Sequence, residues 1–543
     1  MRKFLLFSLA FFLLLPLSGT FAQTSNFLER SSPVYSVGSS LFYVKEGILY
    51  QSADHGTSWN ATNITTNVMK GGQGTIAVSP DNNQMALFLI NADGNPSLYN
   101  SVDKGTSWAQ QSLDGVGFAF SGKMYANLLI APKSHQYYLF IYDFSKQTIN
   151  IETTVLVSPD AGKTWNRLNS NNSIAPGFII GSDSAKAFMN PLYYVNNVQS
   201  NGNTMTYFAK SVNLGQTFDP FASTGLPANA IVFWLSVDPT NPLTLYAPVV
   251  LADETTAVYR SIDGGATWAE IVNDKAFAGK AILGIQVHPL NPAVLYLYTE
   301  DKIYISVNSG ITFTELPVKT MTDVNFMTVD QSSANYLYFV QNLTKELMRS
   351  QDGGLHWDTV TPKFEAQWVS QTQGDGTLVG SDVKPFLVKA GQKIQLQAQF
   401  KNSGSIIWKN TDFLKVGFYV YKDLTYSGPP EYNDPKTPSL FGKSWFADNS
   451  WGPSADGSTQ GVRASLLKEA SVAPGQVATF DFVFQVPANA GPSANADDAS
   501  TKYDDRFIRE DLTVAWGPNW MSNFTNGDPL NRAHIWMPAR IVQ

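Results

Sequence analysis

No cysteine occurs anywhere in the 543 residues, so the chain forms neither disulfides nor thiolate metal sites and offers no cysteine nucleophile or lipid-modified N-terminal cysteine. Durability in an oxidising setting therefore has to come from packing. Histidine is scarce as well: the five residues His55, His135, His288, His356 and His534 show no close metal-ligand spacing. Charged residues make up only 15% and sum to −7, without the basic face that nucleic acid or an anionic membrane would favour. Apolar runs approaching the roughly 20 residues of a membrane helix are missing beyond the N-terminus. At the N-terminus, Arg2 and Lys3 precede an apolar stretch over 4–17 that ends in small residues, which reads as an export signal cut after Ala22. The expected product is secreted, extracytoplasmic and not inserted in a membrane once residues 1–22 are removed.

Aromatics at 13%, with 40 glycines and 29 prolines, suit a turn-rich all-β chain, because aromatic and branched side chains fill pleated surfaces while Gly and Pro make corners. One octapeptide recurs seven times at spacings of 44 to 57 residues: SADHGTSW (52–59), SVDKGTSW (101–108), SPDAGKTW (158–165), SVNLGQTF (211–218), SIDGGATW (261–268), SVNSGITF (306–313) and SQDGGLHW (350–357). Each copy reads as a tight hairpin in which Asp54, Asp103, Asp160, Asn213, Asp263, Asn308 or Asp352 accepts hydrogen bonds from turn amides. The glycine takes a positive φ and the closing aromatic packs as a wedge. Short strand patterns flank each copy, and an earlier refrain, VDPTNPLTLY (237–246) and VHPLNPAVLY (287–296), reads as strand, turn, strand. Four strands per unit and seven units predict a seven-bladed β-propeller.

Over residues 30–365 the repeat resembles the BNR or Asp-box family, which includes sialidases, xyloglucanase-type hydrolases, sortilin-type receptors and photosystem assembly factors. That breadth of activities makes the resemblance informative about fold and nearly silent about function. It implies that the box aspartates are structural and that ligands meet the opposite rim, built from the turns between second and third strands and the crossings between blades. The sequence leaves open whether the N-terminal segment completes the last blade.

Beyond Lys363 the repeat stops. The expected organisation is an export signal over 1–22, the propeller over 23–370, a Gly-rich linker over 371–383 and a second domain over 384–543. In the last, a period-two strand over 388–400 is followed by Asn402, Gly404, Trp408, Pro474, Gly475, Phe480 and the pair Trp516 and Trp520. This order resembles the four-tryptophan immunoglobulin-like domain of selective-autophagy receptors, with long insertions over 426–461 and 489–503. The resemblance implies an immunoglobulin-like β-sandwich in which Trp408 and Phe482 are core residues.

A sialidase needs clustered arginines for its substrate carboxylate. The propeller holds only Arg30, Arg167, Arg260 and Arg349, two of them directly before box serines on strands leading away from the ligand rim. A neutral-sugar hydrolase needs two carboxylates facing one cleft. Candidates on the predicted rim are Asp253 and Glu254 in blade five and Glu300 and Asp301 in blade six, weighed against ordinary solvated hairpin charges. Asp497, Asp498, Asp504 and Asp505 form an acidic loop of calcium-binding composition without a defined calcium-loop spacing. No cofactor is expected. The sequence favours an exported binding or scaffold protein recognising an extracellular glycan or protein; the alternatives are a glycoside hydrolase and an assembly factor for an exported protein complex.

Overall fold

Runs of branched and aromatic residues broken by Gly, Pro, Asn and Asp favour short strands over helices. A computed structural model bears this out, describing most of residues 34–373 and the strands between 386 and 542. Residues 1–33, 374–385, 421–449, 454–461, 489–507 and 517–533, together with shorter loop segments, lie outside the described residues; the expected export signal and the calcium candidates Asp497, Asp498, Asp504 and Asp505 fall there. Two units are distinguished, one formed by residues 1–56 and 64–361 and the other by 57–63 and 362–543.

The first unit is a seven-bladed β-propeller. Its antiparallel sheets follow one another over residues 34–52, 73–111, 124–167, 177–221, 231–273, 282–315 and 324–359. Within a blade the burial of each strand follows its place in the sheet. In blade five the second strand, Leu245–Val250, is buried at every residue, whereas the fourth, Ala269–Asn273, is exposed or half-buried throughout. A central strand meets a neighbouring blade on both faces, and this is why its sequence is a continuous apolar run rather than an alternating one.

The ring closes by contact between Val34–Val37 of blade one and Val324–Val329 of blade seven. Among the described residues no strand is exchanged. Val34–Val37 pairs with Ser40–Lys45 of its own sheet, and the four strands of blade seven all come from residues 324–359.

In the second unit, Lys393–Asn402 is the central strand of a three-stranded antiparallel sheet between Ala366–Gln373 and Val477–Gln485. Its alternating burial places Leu396, Ala398 and Phe400 in a core with Phe480, Phe482 and Phe484. A six-stranded sheet runs through Phe386–Lys389, His534–Val542, Ile508–Trp516, Val416–Val420, Val462–Leu466 and Gly452–Pro453, with the first pair parallel. Strand Ala366–Gln373 crosses the position 370 expected to end the propeller and includes the first residues of the expected linker, because its ladder partner lies in the second unit. Asn402 is buried and its side-chain amide donates to the carbonyls of Ile406 (2.8 Å) and Val472 (3.0 Å). Gly404 lies where an added Cβ would stand 2.2 Å from the carbonyl oxygen of Lys363. Trp408 is fully buried against Phe364.

Segment 57–63 also belongs to the second unit, although it contains the closing tryptophan of the first octapeptide. Trp59 is fully buried; its amide donates to the carbonyl of Ser405 (2.9 Å), and its carbonyl accepts from Ile407 (2.8 Å).

Candidate functional site

The two ends of the blades have different chemistry, and the octapeptides define one of them. In every copy the serine hydroxyl donates to the Asp or Asn side-chain oxygen at 2.7–2.9 Å. The same hydroxyl oxygen accepts from the glycine amide at 2.6–2.9 Å in six copies. Those glycines have φ between 80° and 102°, a region that L side chains rarely adopt. The carboxylate or amide oxygen takes a further bond from the amide of the seventh residue, as in Thr267 to Asp263 (2.9 Å) and His356 to Asp352 (2.9 Å). The indoles of Trp108, Trp165, Trp268 and Trp357 donate back to the carbonyl of their own box glycine at 2.9–3.1 Å. These bonds of the serine and of the Asp or Asn side chain close within the hairpin.

The fourth residue of the box joins this hairpin to the turn between strands one and two of its own blade. The amides of His55, Gly264, Ser309 and Gly353 donate to the carbonyls of Ser39, Leu243, Ala293 and Asn335 at 2.8–3.0 Å. In that turn a side chain again stands in for backbone. Asp238 accepts from the amides of Thr240 (2.7 Å) and Asn241 (3.1 Å), while the buried His288 uses Nδ1 for the amides of Leu290 (3.0 Å) and Asn291 (3.1 Å). Ser79 does the same for Gln84 (2.9 Å). The refrain read from sequence as strand, turn, strand therefore has a capping residue at its centre. His288 shares this role only as the tautomer that leaves Nδ1 an acceptor.

Box carboxylates make an acid-stability prediction. The Thr267 hydroxyl and amide hold Asp263 at about 2, and the His356 side chain and amide hold Asp352 at about 2. Both carboxyls have folded pKa values depressed below the unfolded value near 4. Their contribution is present above pH ~4 and is lost as pH falls toward ~2. Urea midpoints measured at pH 5 and pH 2.5 are expected to differ less in the double variant Asp263→Asn, Asp352→Asn than in the natural chain.

At the opposite end lie the turns between strands two and three, where the rim carboxylates were expected. Asp253 and Glu254 occupy a tight turn in which Leu251 donates to Thr255 (2.8 Å) and Glu254 to Leu251 (3.0 Å). Glu254 itself has a φ of 68°. The Asp253 carboxylate accepts from the Thr255 hydroxyl (2.6 Å) and amide (3.2 Å), bonds that hold its pKa below the usual carboxylate range. Asp301 accepts from the Thr299 hydroxyl (3.2 Å) and pairs with Lys280 at 3.4 Å. Glu300 lies outside the described residues. The topology brings Asp253 and Asp301 to the same rim, yet among the described residues no hydrogen bond or ion pair joins them. Each is used by its own turn, and Asp253 is fully ionised at neutral pH, the reverse of what a general acid needs. The side chains of Trp234 and Phe326, considered as sugar-stacking aromatics, lie outside the described residues. Among the described residues no group of three or more His, Cys, Asp and Glu side chains could hold a metal ion, and no helix is long and apolar enough to cross a membrane.

Sequence reasoning did not single out a third constellation, His55, Asp330 and Arg349, which meets where the ring closes. The signal for Asp330 was its place in the refrain, equivalent to Asp238 and His288; nothing local marks its partner, Ser36, 294 positions away.

The Sortilin-Vps10 family model, described as sortilin, neurotensin receptor 3, matches residues 47–231 and 256–416. Similar solved structures include a GH74 xyloglucanase from Xanthomonas campestris, at 13% identity over 88% of this chain and 76% of that one with a TM-score of 0.44. The GH74 enzyme of Niastella koreensis is 13% identical over 91% and 72% with a TM-score of 0.45. YCF48 bound to D1 peptide is 13% identical over 59% of this chain and 90% of that one, with a TM-score of 0.40. No curated protein matches the chain.

Proposed function

Because the chain belongs to the Sortilin-Vps10 family, we propose that it is an exported, non-catalytic binding protein that recognises a peptide or protein ligand through the propeller rim opposite the octapeptides. The observation that carries this reading is the state of the rim carboxylates. Asp253 is solvated, ionised and bonded to Thr255, and Asp301 is bonded to Thr299 and Lys280. A hydrolytic pair needs one carboxyl held protonated and a second aimed at the same bond. Support for a peptide or protein over a glycan comes from the family description, which names a receptor for neurotensin. The rim also suits a partner of mixed charge, since Lys280, Asp301, Lys302 and Glu315 alternate on its blade-six side.

The reading is tested with the full chain against a random-sequence peptide library and, in parallel, a neutral and sialylated glycan array. Selection of peptides is expected, with affinity changed less than about threefold by Asp253→Asn and Asp301→Asn, because exposed charge pairs are worth little. Replacing the turn over 251–255 by Asn-Gly should weaken the selected peptide at least tenfold if the rim is the site. Binding to glycans alone, or peptide binding indifferent to the rim, would sink the reading.

A further inference from the structure

The hairpin of blade four is longer than those beside it. Its second and third strands, Leu192–Ser200 and Asn203–Ser211, have nine residues each, against six each in blade five and seven each in blade three. The three ladders start level, with Leu192, Leu245 and Tyr137 opposite the box serines Ser211, Ser261 and Ser158. The surplus therefore lies at the other end, where the blade-four ladder runs about 7–10 Å past its neighbours on the rim opposite the octapeptides. The projecting part is braced on the face toward blade five. The Asn197 side chain donates to the carbonyl of Val232 (2.7 Å) and accepts from its amide (3.1 Å). The Thr206 hydroxyl lies 2.8 Å from both the Asn197 side-chain oxygen and the carbonyl of Ala230, and the Thr204 amide donates to the side chain of Asn229 (2.8 Å).

Alternation along the strand turns Met205 and Tyr207 to the opposite face. They are 50% and 48% exposed, with the Tyr207 hydroxyl 3.7 Å from the Met205 sulfur. Among the described residues of the first unit these are the two large apolar side chains exposed at the rim end; the others, such as Ile262 and Leu243, belong to the octapeptides or the refrain turns. Single exposed apolar residues are ordinary on any surface. Two side by side on a braced, projecting hairpin make a preformed apolar platform. We propose that this platform is the anchor of the peptide site, with Met205 and Tyr207 holding one apolar side chain of the bound peptide; the proposal rests on the reading of the rim as the peptide-binding end.

The chemistry of the hairpin selects this occupant. From Leu192 to Ala209 it holds no charged residue, and so presents no opposite charge to a charged side chain. Asn197 and Thr206, polar groups of the kind that a sugar needs, are engaged with the main chain of the crossing to blade five and of its first strand. What the exposed face offers is a thioether and an aromatic ring. Methionine, with three rotatable bonds, follows the shape of what it covers, whereas tyrosine supplies a large flat surface fixed by two torsions. An aliphatic or aromatic side chain fits that pair. The platform is also continuous with the rest of the rim: Asn229 and Ala230, which brace it, lead into blade five, whose turn between second and third strands carries Asp253.

Peptides selected by the full chain from the random-sequence library test the anchor. They are expected to share an apolar residue at one position. The double variant Met205→Ala, Tyr207→Ala should bind them at least about tenfold more weakly, while Tyr207→Phe stays within about threefold of the natural chain, because the ring rather than the hydroxyl makes the contact. Ile262→Ala, exposed at the octapeptide end, is the matched control and should leave binding unchanged. All these variants should keep the thermal midpoint of the natural chain, since the substituted side chains are exposed. Selected peptides without a common apolar position, a double variant that binds as the natural chain does, or an equal loss in Ile262→Ala would overturn the anchor and leave the rim reading to its own test, the replacement of the turn over 251–255. Binding to glycans alone would overturn both. The shared apolar position is read on the natural chain, so the test stands even if a variant fails to fold.

Discussion

Replacing Trp268 by alanine is expected to destabilise the propeller by about 3–5 kcal/mol, the range for truncating a large buried aromatic. Trp268 is 5% exposed and packs against Phe208 with ring centroids 5.5 Å apart. Its indole N–H lies 3.0 Å from both the Gly265 carbonyl of its own hairpin and the hydroxyl of Ser223, which follows the last strand of blade four. The residue therefore fills space within one blade and ties that blade to the one before it. Alanine removes the packing and leaves the Ser223 hydroxyl and Gly265 carbonyl to pair only with each other. Trp268→Phe should recover much of the packing but neither indole bond, leaving a deficit of about 1–2 kcal/mol. Thermal and urea denaturation monitored by tryptophan fluorescence of the remaining indoles checks both values.

Gly225→Ala is expected to cost on the order of 3 kcal/mol, combining left-handed backbone strain with a backbone collision. Gly225 has a φ of 91°, and a Cβ built there would stand 2.1 Å from the carbonyl oxygen of Trp268. That close approach exists because Thr224 exchanges main-chain bonds with the next box: its amide donates to Ala266 (2.9 Å) and its carbonyl accepts from Trp268 (2.9 Å). A strap from blade four thus lies along the hairpin of blade five. Gly353→Ala is the matched control, since Gly353 also has a positive φ, 73°, but nothing lies within 4 Å of its added Cβ. It should show the strain alone, about 1 kcal/mol. Equal losses in the two variants would mean that the strap moves aside at little cost.

What could be read in the sequence follows the reach of the interactions. The octapeptide was legible because its bonds close within the motif: Ser261 to Gly265 and Asp263 to Thr267 each span four residues. Seven local signals in tandem were enough to set the blade number. Ring closure was not legible, because Ser36 meets Asp330 and Arg349 meets His55 across 294 positions, and no local pattern encodes such a pairing. The assignment of Trp59 to the second unit escaped for the same reason, its main-chain partners being Ser405 and Ile407. On the rim, Asp253 and Asp301 lie at the turns between second and third strands. Their engagement was hidden: Thr255 is a neighbour in sequence, but Lys280, which pairs with Asp301, arrives from the crossing between blades five and six. His288 shows the converse. Histidine spacing assigned it no role, while its position in the refrain gives it the turn-capping work that Asp238 does one blade earlier.

The division between a structural octapeptide end and a ligand-binding, non-catalytic rim is the centre of this account. It is tested most directly by incubating the purified chain at high concentration with xyloglucan, other neutral polysaccharides and sialosides and measuring released sugar. No release above buffer is predicted on any substrate. Release that disappears in Asp253→Asn or Asp301→Asn would contradict the account and assign the rim carboxylates to hydrolysis.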